Sequence, residues 1–243
     1  MVEVLFFLSA FFAEVVGTIA GFGSSTIFLP LALFFVDFKT ALVLVAIFHI
    51  SGNLGRITFF RHGLDRKLLV LFGVPSVILT IVGALMVNYA PQELLKLGLG
   101  VFLLLFSAAS FIKPDFSFRA NPQNAVIGGG LSGFLAGLIG TGGALRGAFL
   151  TSFQLKKEIY IATAAAIALA ADITRIPIYL GSGFLGEEYY YYIPLLFAIA
   201  IIGSFAGKKI VEKLPQKAFR KLVLVTIATV SLKFIYDGLQ FLL

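Results

Sequence analysis

Residues 122–153 read PQNAVIGGGLSGFLAGLIGTGGALRGAFLTSF, and in this stretch the only charge is Arg146. A continuous helix over it would measure about 48 Å, at about 1.5 Å per residue, against roughly 30 Å of bilayer hydrocarbon. A patch of small residues, Gly137 to Gly143, interrupts it near the middle. Residues 2–36 have the same form, apolar and overlong, with an interruption from Gly17 to Ser25. Two apolar segments too long for one crossing, each broken by small residues, frame everything else in the chain.

The composition around them is that of a membrane protein. Of 243 residues, 59% are hydrophobic and 13% charged, with a mean hydropathy of +1.01. A soluble domain runs about 45–50% apolar and about 25% charged. Asp, Glu, Lys and Arg are absent from 15–36, 40–55, 68–92, 97–112, 120–145 and 189–207. Windows of that length, apolar all round, fit spanning helices rather than barrel strands of about 10 alternating residues. Eight apolar segments follow: 2–36, 40–60, 68–89, 94–112, 122–153, 159–181, 189–207 and 218–241. Cysteine is absent, which excludes disulfides and thiolate metal sites, and His49 and His62 are too few for a multi-histidine metal centre. No cofactor is expected. The start, Met1-Val2-Glu3-Val4, has no basic region before its apolar run, so no cleaved signal peptide is read. The net charge of +7 reads as cytoplasmic loop charge, not as a nucleic-acid footprint.

The halves of the chain match at a shift close to 119 residues. Gly21 and Gly23 fall on Gly140 and Gly142, Asn53-x-x-Arg56 on Asp172-x-x-Arg175, and Pro75 on Pro194. Pro91-Gln92 matches Pro215-Gln216 at a slightly longer shift. This ordered series predicts a duplication, 1–118 and 119–243, within one membrane domain. Loop charge predicts its topology. If both broken segments dip in and return, one face collects 13 basic residues, Arg61, Arg66, Lys67, Lys113, Arg119, Lys156, Lys157, Lys208, Lys209, Lys213, Lys217, Arg220 and Lys221, and the other only Lys39 and Lys96. If both cross, the split is 10 to 5. The positive-inside rule favours the first arrangement. Each repeat is then a re-entrant helical hairpin plus three crossings, and three being odd, the repeats are inverted, with both termini external in the cell membrane.

A helix that ends inside a membrane leaves backbone groups that lipid cannot satisfy. The half-helices that restart after each tip, 24–36 and 143–153, aim free N–H groups and a positive dipole end at the membrane centre. Two such ends make an anion site. Gly23, Ser24 and Ser25 on one tip, with Thr141, Gly142 and Gly143 on the other, offer close backbone approach and hydroxyl donors. The plainer alternative is that these residues only permit tight packing, as Gly133-x-x-x-Gly137 and Gly203-x-x-x-Gly207 do in close helix pairs.

Gly133-Phe-Leu-Ala-Gly137-Leu-Ile-Gly140-Thr-Gly142-Gly143 resembles the glycine-rich signature of the TauE/SafE sulfite-exporter-like permeases. Gly17-Thr-Ile-Ala-Gly21-Phe-Gly23-Ser24-Ser25, with Pro30 behind it, is a degenerate copy with serines in place of a glycine run. The resemblance implies a transporter whose partner is a small anion, typically sulfite, a sulfonate or a related organosulfur compound.

Six charged or titratable side chains inside the segments bear on function. Arg146, in the first turn of its half-helix, opposes the dipole, and a bound anion or Glu14 would relieve that conflict. Arg56 and Arg175 are expected near opposite mouths of the pathway, where they either draw anions in or snorkel. Asp172 is expected to hold Arg175 at i,i+3, with the neutral Asn53 leaving Arg56 uncompensated. His49, near mid-depth, is either a structural histidine or a site that couples transport to protons. Intramembrane enzyme signatures are missing: no His-Glu-x-x-His, no Gly-x-Ser-x-Gly and no aspartate partner for Asp172. The expectation is a non-enzymatic anion transporter, with an anion channel or a structural membrane subunit as the alternative. Substrate, coupling ion and oligomeric state are not legible in the sequence.

Overall fold

The computed structural model describes residues 2–20, 23–59, 63–113, 118–211 and 216–242. Gly21, Arg61, His62, Lys213 and Pro215, named above, lie outside them. The described residues are almost wholly helical, without a strand among them. Helix α1 (Val2–Ala20) and the short α2 (Ser25–Ala32) make the first broken segment, followed by α3 (Phe38–Phe59). Next come α4 (Arg66–Leu68), a π-helical turn at Leu69–Gly73, α5 (Val74–Met86) and α6 (Gln92–Ile112). Helices α7 (Pro122–Ile139) and α8 (Gly143–Leu150) form the second broken segment. The chain ends with α9 (Lys157–Gly181), α10 (Tyr192–Val211) and α11 (Gln216–Leu242). Among the described residues, five helices are long and apolar enough to cross a membrane: Phe38–Thr58, Arg66–Tyr89, Gln92–Ile112, Glu158–Gly181 and Glu187–Lys209.

The broken segments do not divide in the middle. Their arms are unequal, 19 and 8 residues for α1 and α2, 18 and 8 for α7 and α8. Helix α7 runs through Gly128, Gly129, Gly130, Gly133 and Gly137, because a helical glycine costs only about 1 kcal/mol and its bare face is wanted for packing. It stops at Gly140, whose φ of 77° suits glycine and ends the hydrogen-bond ladder. Gly23, at φ 81°, turns the other tip into α2.

Helix α5 lies along α7, α10 along α1, α11 along α6 and α9 along α3. The α5–α7 contact is backbone against backbone. A Cβ built on Gly129, Gly133 or Gly137 would stand 2.1, 2.0 or 2.2 Å from the carbonyl oxygens of Phe72, Ser76 and Thr80. Both series advance by four, one turn of helix, so the two ridges mesh over three turns. The Thr80 hydroxyl donates to the Gly133 carbonyl at 3.0 Å across the same seam. The π turn sits where Phe72 meets Gly129, which shifts the register of α5 against its neighbour.

Loop contacts gather at the two ends of the bundle. At one end Tyr191 donates to Glu3 at 2.6 Å, the Phe38 amide to Gln92 at 2.9 Å, Thr40 to the Phe184 carbonyl at 3.3 Å, and Asn88 to Ser182 at 2.8 Å. At the other end the Asp65 amide donates to Thr163 at 3.0 Å and Phe118 stacks on Phe149 at 3.7 Å. The start of α1 and the start of α3 therefore share one end, and the start of α7 and the end of α8 share the other.

Gly133→Val should cost about 1–3 kcal/mol of stability by overpacking the α5–α7 seam. Gly181→Ala, with nothing within 4 Å of the new methyl, should leave stability unchanged. Thermal unfolding of the two purified variants checks the difference.

Candidate functional site

Helix α3 carries His49, Gly52, Asn53 and Arg56 on one face, at the three- and four-residue spacings that align side chains along a helix. Helix α9 carries Ala168, Ala171, Asp172, Arg175 and Tyr179 in the same way. Where the two faces meet, a chain of polar groups is sealed from solvent.

Its centre is Asp172, 2% exposed. Oδ1 accepts from Arg175 Nε at 3.0 Å and pairs with Arg175 Nη2 at 2.8 Å. Oδ2 accepts from His49 Nδ1 at 2.8 Å and more loosely from Asn53 Nδ2 at 3.4 Å. The remaining nitrogen of Arg175, Nη1, donates to the Ala136 carbonyl at 2.6 Å, and the Tyr179 hydroxyl donates to the Gly137 carbonyl. Both carbonyls lie in the last turn of α7, where a helix has acceptors without intrahelical donors and a negative dipole end. Arg175 therefore closes the end of α7 as well as neutralising Asp172.

A second pair adjoins it through Asn53. Arg56 Nη2 meets Glu14 Oε1 at 2.6 Å, its Nη1 donates to Asn53 Oδ1 at 2.9 Å, and Nη2 also reaches Ser24 Oγ at 3.4 Å. Ser204 on α10 donates to the same Glu14 oxygen at 2.6 Å. The carboxylate fits because Gly52 faces it: a Cβ there would lie 2.6 Å from Oε1.

Three expectations change accordingly. Arg56 is charge-compensated, by Glu14, and Glu14 is not the counter-ion of Arg146. Nor do Arg56 and Arg175 stand open at two mouths: they are 8% and 1% exposed, and both are held by acids. The physical reason is that a guanidinium within an apolar bundle is stabilised only by a partner at hydrogen-bond distance, and α1 and α9 each supply a carboxylate.

The two tips come together beside this network. Thr26 and Thr141 share a hydrogen bond of 3.0 Å between their hydroxyls. A Cβ on Gly23 would lie 3.6 Å from His49 Nε2 and 3.9 Å from Gly143 Cα. A small cavity opens there, lined by Ser25, His49, Ala136, Gly140, Gly142, Gly143, Arg146, Ala168, Ala171, Asp172 and Arg175. Of the residues expected at the tips, Ser25, Gly142, Gly143 and Arg146 line this cavity. Ser24 faces Arg56, and Thr141 turns to Thr26. Sequence reasoning missed Tyr179, Ser204 and Thr26. Tyr179, four residues beyond Arg175 on the same face, was open to detection, whereas Thr26 and Ser204 carry no such spacing signal.

Arg146 stands apart. It is 6% exposed and lines the cavity, yet among the described residues its side chain forms no hydrogen bond and no ion pair. The buried charged side chains among these residues are Glu14, Asp172, Arg56, Arg146 and Arg175. Two acids neutralise two arginines, and Arg146 is left over. A buried, unpaired cation is costly, and an anion in the cavity is the group that would relieve it. The first backbone N–H groups of α8 and its positive dipole end favour the same occupant.

The family model described as Sulfite exporter TauE/SafE matches residues 6–234, nearly the whole chain. The chain belongs to that family and is a multi-pass membrane protein. Among curated proteins, none matches it.

Glu14→Gln strips Arg56 of its counter-charge inside the bundle and should destabilise the protein by about 3–5 kcal/mol. Glu14→Gln with Arg56→Gln should recover part of that loss. Because the pair is buried, both effects should be the same at low and high ionic strength. A double-mutant cycle by thermal unfolding at two salt concentrations checks all three statements.

Proposed function

From this membership and the geometry of the cavity, we propose that the chain carries a small sulfur oxyanion, sulfite or a sulfonate, across the cell membrane by alternating access around the two tips. The observation that carries the reading is Arg146: one cation, buried and without a partner, facing a cavity between two helix starts. Ser25, His49 and Arg146 on its wall are 2%, 3% and 6% exposed. Polar walls buried to this degree fit a carrier that opens to one side at a time better than an open pore.

The architecture in this proposal is two inverted repeats, each a re-entrant hairpin plus three crossings. The end contacts support it, since Glu3, Phe38, Asn88, Ser182 and Tyr191 gather at one end while Asp65, Phe118, Phe149 and Thr163 gather at the other. The helix pairing supports it too. Under the 119-residue shift α5 corresponds to α10 and α7 to α1, so α5 on α7 is matched by α10 on α1. The face bearing Lys67, Lys113 and Arg119 is then cytoplasmic, and both termini are external.

Arg146→Met keeps the stem and removes the charge. A hydrogen bond to a charged group is worth about 1.5–3 kcal/mol, so sulfite should bind about 10- to 150-fold more weakly. Calorimetric titration of the folded variant with sulfite, sulfate, thiosulfate, methanesulfonate and acetate tests the site and ranks the ligands. Wild-type affinity in the variant would show that the anion binds elsewhere. For topology, Val2→Cys and Glu187→Cys in this cysteine-free chain should react with an impermeant thiol reagent in intact cells, and Lys113→Cys only after permeabilisation. Cytoplasmic labelling at residue 2 would overturn the double-hairpin arrangement.

A further inference from the structure

His49 faces the cavity with its second nitrogen, and the hydrogen bonding on its first nitrogen decides what that second nitrogen can do. Asp172 Oδ2 sits 2.8 Å from Nδ1. The Asp172 carboxylate also receives Arg175 through two nitrogens and Asn53 through its amide, so it is an ionised acceptor with no proton to give. Nδ1 must therefore carry the hydrogen, and a neutral ring has its lone pair on Nε2. That atom is buried and has no hydrogen-bond partner. Its surroundings are Gly23 at one tip, Gly143 at the other and the cavity that Arg146 lines.

A lone pair is the wrong group to present to an oxyanion. An oxygen bearing negative charge is repelled by neutral Nε2 and attracted by Nε2–H of the imidazolium. We propose that His49 is the proton site of anion binding: each fully deprotonated anion enters the cavity with one proton, which bonds to Nε2. The inference rests on reading the cavity as the anion site. The balance is simple: neutral His49, one proton from the solution and one sulfonate monoanion give imidazolium and bound anion, with no net change of charge, and a sulfite dianion entering the same way adds one negative charge.

The charges around the ring explain why proton and anion arrive together. Helix α9 brings Asp172 and Arg175, α8 brings Arg146, α1 brings Glu14, and α3 itself brings Arg56. Arg56 and Arg175 are paired with Glu14 and Asp172, whereas Arg146 is not. A second uncompensated cation beside Arg146 is disfavoured in the empty site, and the incoming anion removes that penalty. Asp172, already bonded to Nδ1, holds the ring in place in both protonation states. An anion with its own O–H, such as hydrogensulfite, can donate that hydrogen to neutral Nε2 and so bring the same proton on its own oxygen.

Methanesulfonate is the discriminating probe, because as the anion of a strong acid it has no proton to bring. Titrated into the wild-type protein between about pH 6 and about pH 9, its dissociation constant should rise about tenfold per pH unit on the alkaline side. Calorimetry at one pH in bis-tris and in Tris, whose acid forms are cations and do not compete for the site, should show uptake of close to one proton per anion. His49→Gln, which cannot gain a proton, should give a dissociation constant that does not change with pH. The wild-type proton count stands on its own should that variant fail to fold. Binding of constant affinity across the range with no proton taken up would overturn the inference and leave the anion site standing. No heat with methanesulfonate at any pH would overturn the anion site and the inference with it.

Discussion

One carboxylate, that of Asp172, connects almost everything in the interior. Placing it in an apolar bundle costs several kcal/mol before any attraction is counted. It is tolerated because Arg175, His49 and Asn53 deliver donors to both of its oxygens. Those same bonds turn Arg175 onto the end of α7, fix which nitrogen of His49 bears the hydrogen, and tie α3 to α9. The cavity is thus shaped by residues whose orientations derive from a single ion.

The arginines show how position divides one residue type into separate roles. Arg56 and Arg175 correspond in sequence, but their partners differ in kind. Arg56 meets a side-chain acid on α1, while Arg175 meets Asp172 and the exposed carbonyl of Ala136. Both are structural cations whose charge is neutralised locally. Arg146, at the start of a helix and without an acid, keeps its charge for the cavity. A count of arginines would give three equal candidates for anion contact, and pairing reduces them to one.

Much of the fold was legible because membranes impose a simple requirement. Long windows without Asp, Glu, Lys or Arg mark helices, and the helices fall within a few residues of where those windows place them. The tips were legible from their glycines, and Arg146 and Asp172 from the rarity of charge at such positions. The residue at which the longer arm stops within the small-residue patch was not, since a helix tolerates glycine and ends only where the backbone must take a positive φ, as at Gly140. The pairings were harder still. Glu14 and Arg56 are 42 residues apart, and His49 and Asp172 are 123 apart. Such contacts depend on the rotation of each helix about its own axis, and helices apolar all round carry little signal of that rotation. Thr141 illustrates the cost: its place at the tip was clear, its turn toward Thr26 was not.

The hydrogen bond between Asn53 and Asp172 joins two residues 119 apart, the same interval that relates the halves of the sequence. In the proposed two-fold arrangement of the halves, residues that correspond and also touch stand beside the axis, and the cavity stands there with them. A pocket on the axis of two identical chains would contain every group in duplicate, one imidazole facing another and one guanidinium facing another. Joining the halves in one polypeptide lifts that obligation. The same interval sets His49 against Ala168, which lines the same cavity, and Arg146 against Ile27, so the ring and the unpaired cation each occur once. In that proposal a centre of two-fold resemblance becomes a site for a single ion.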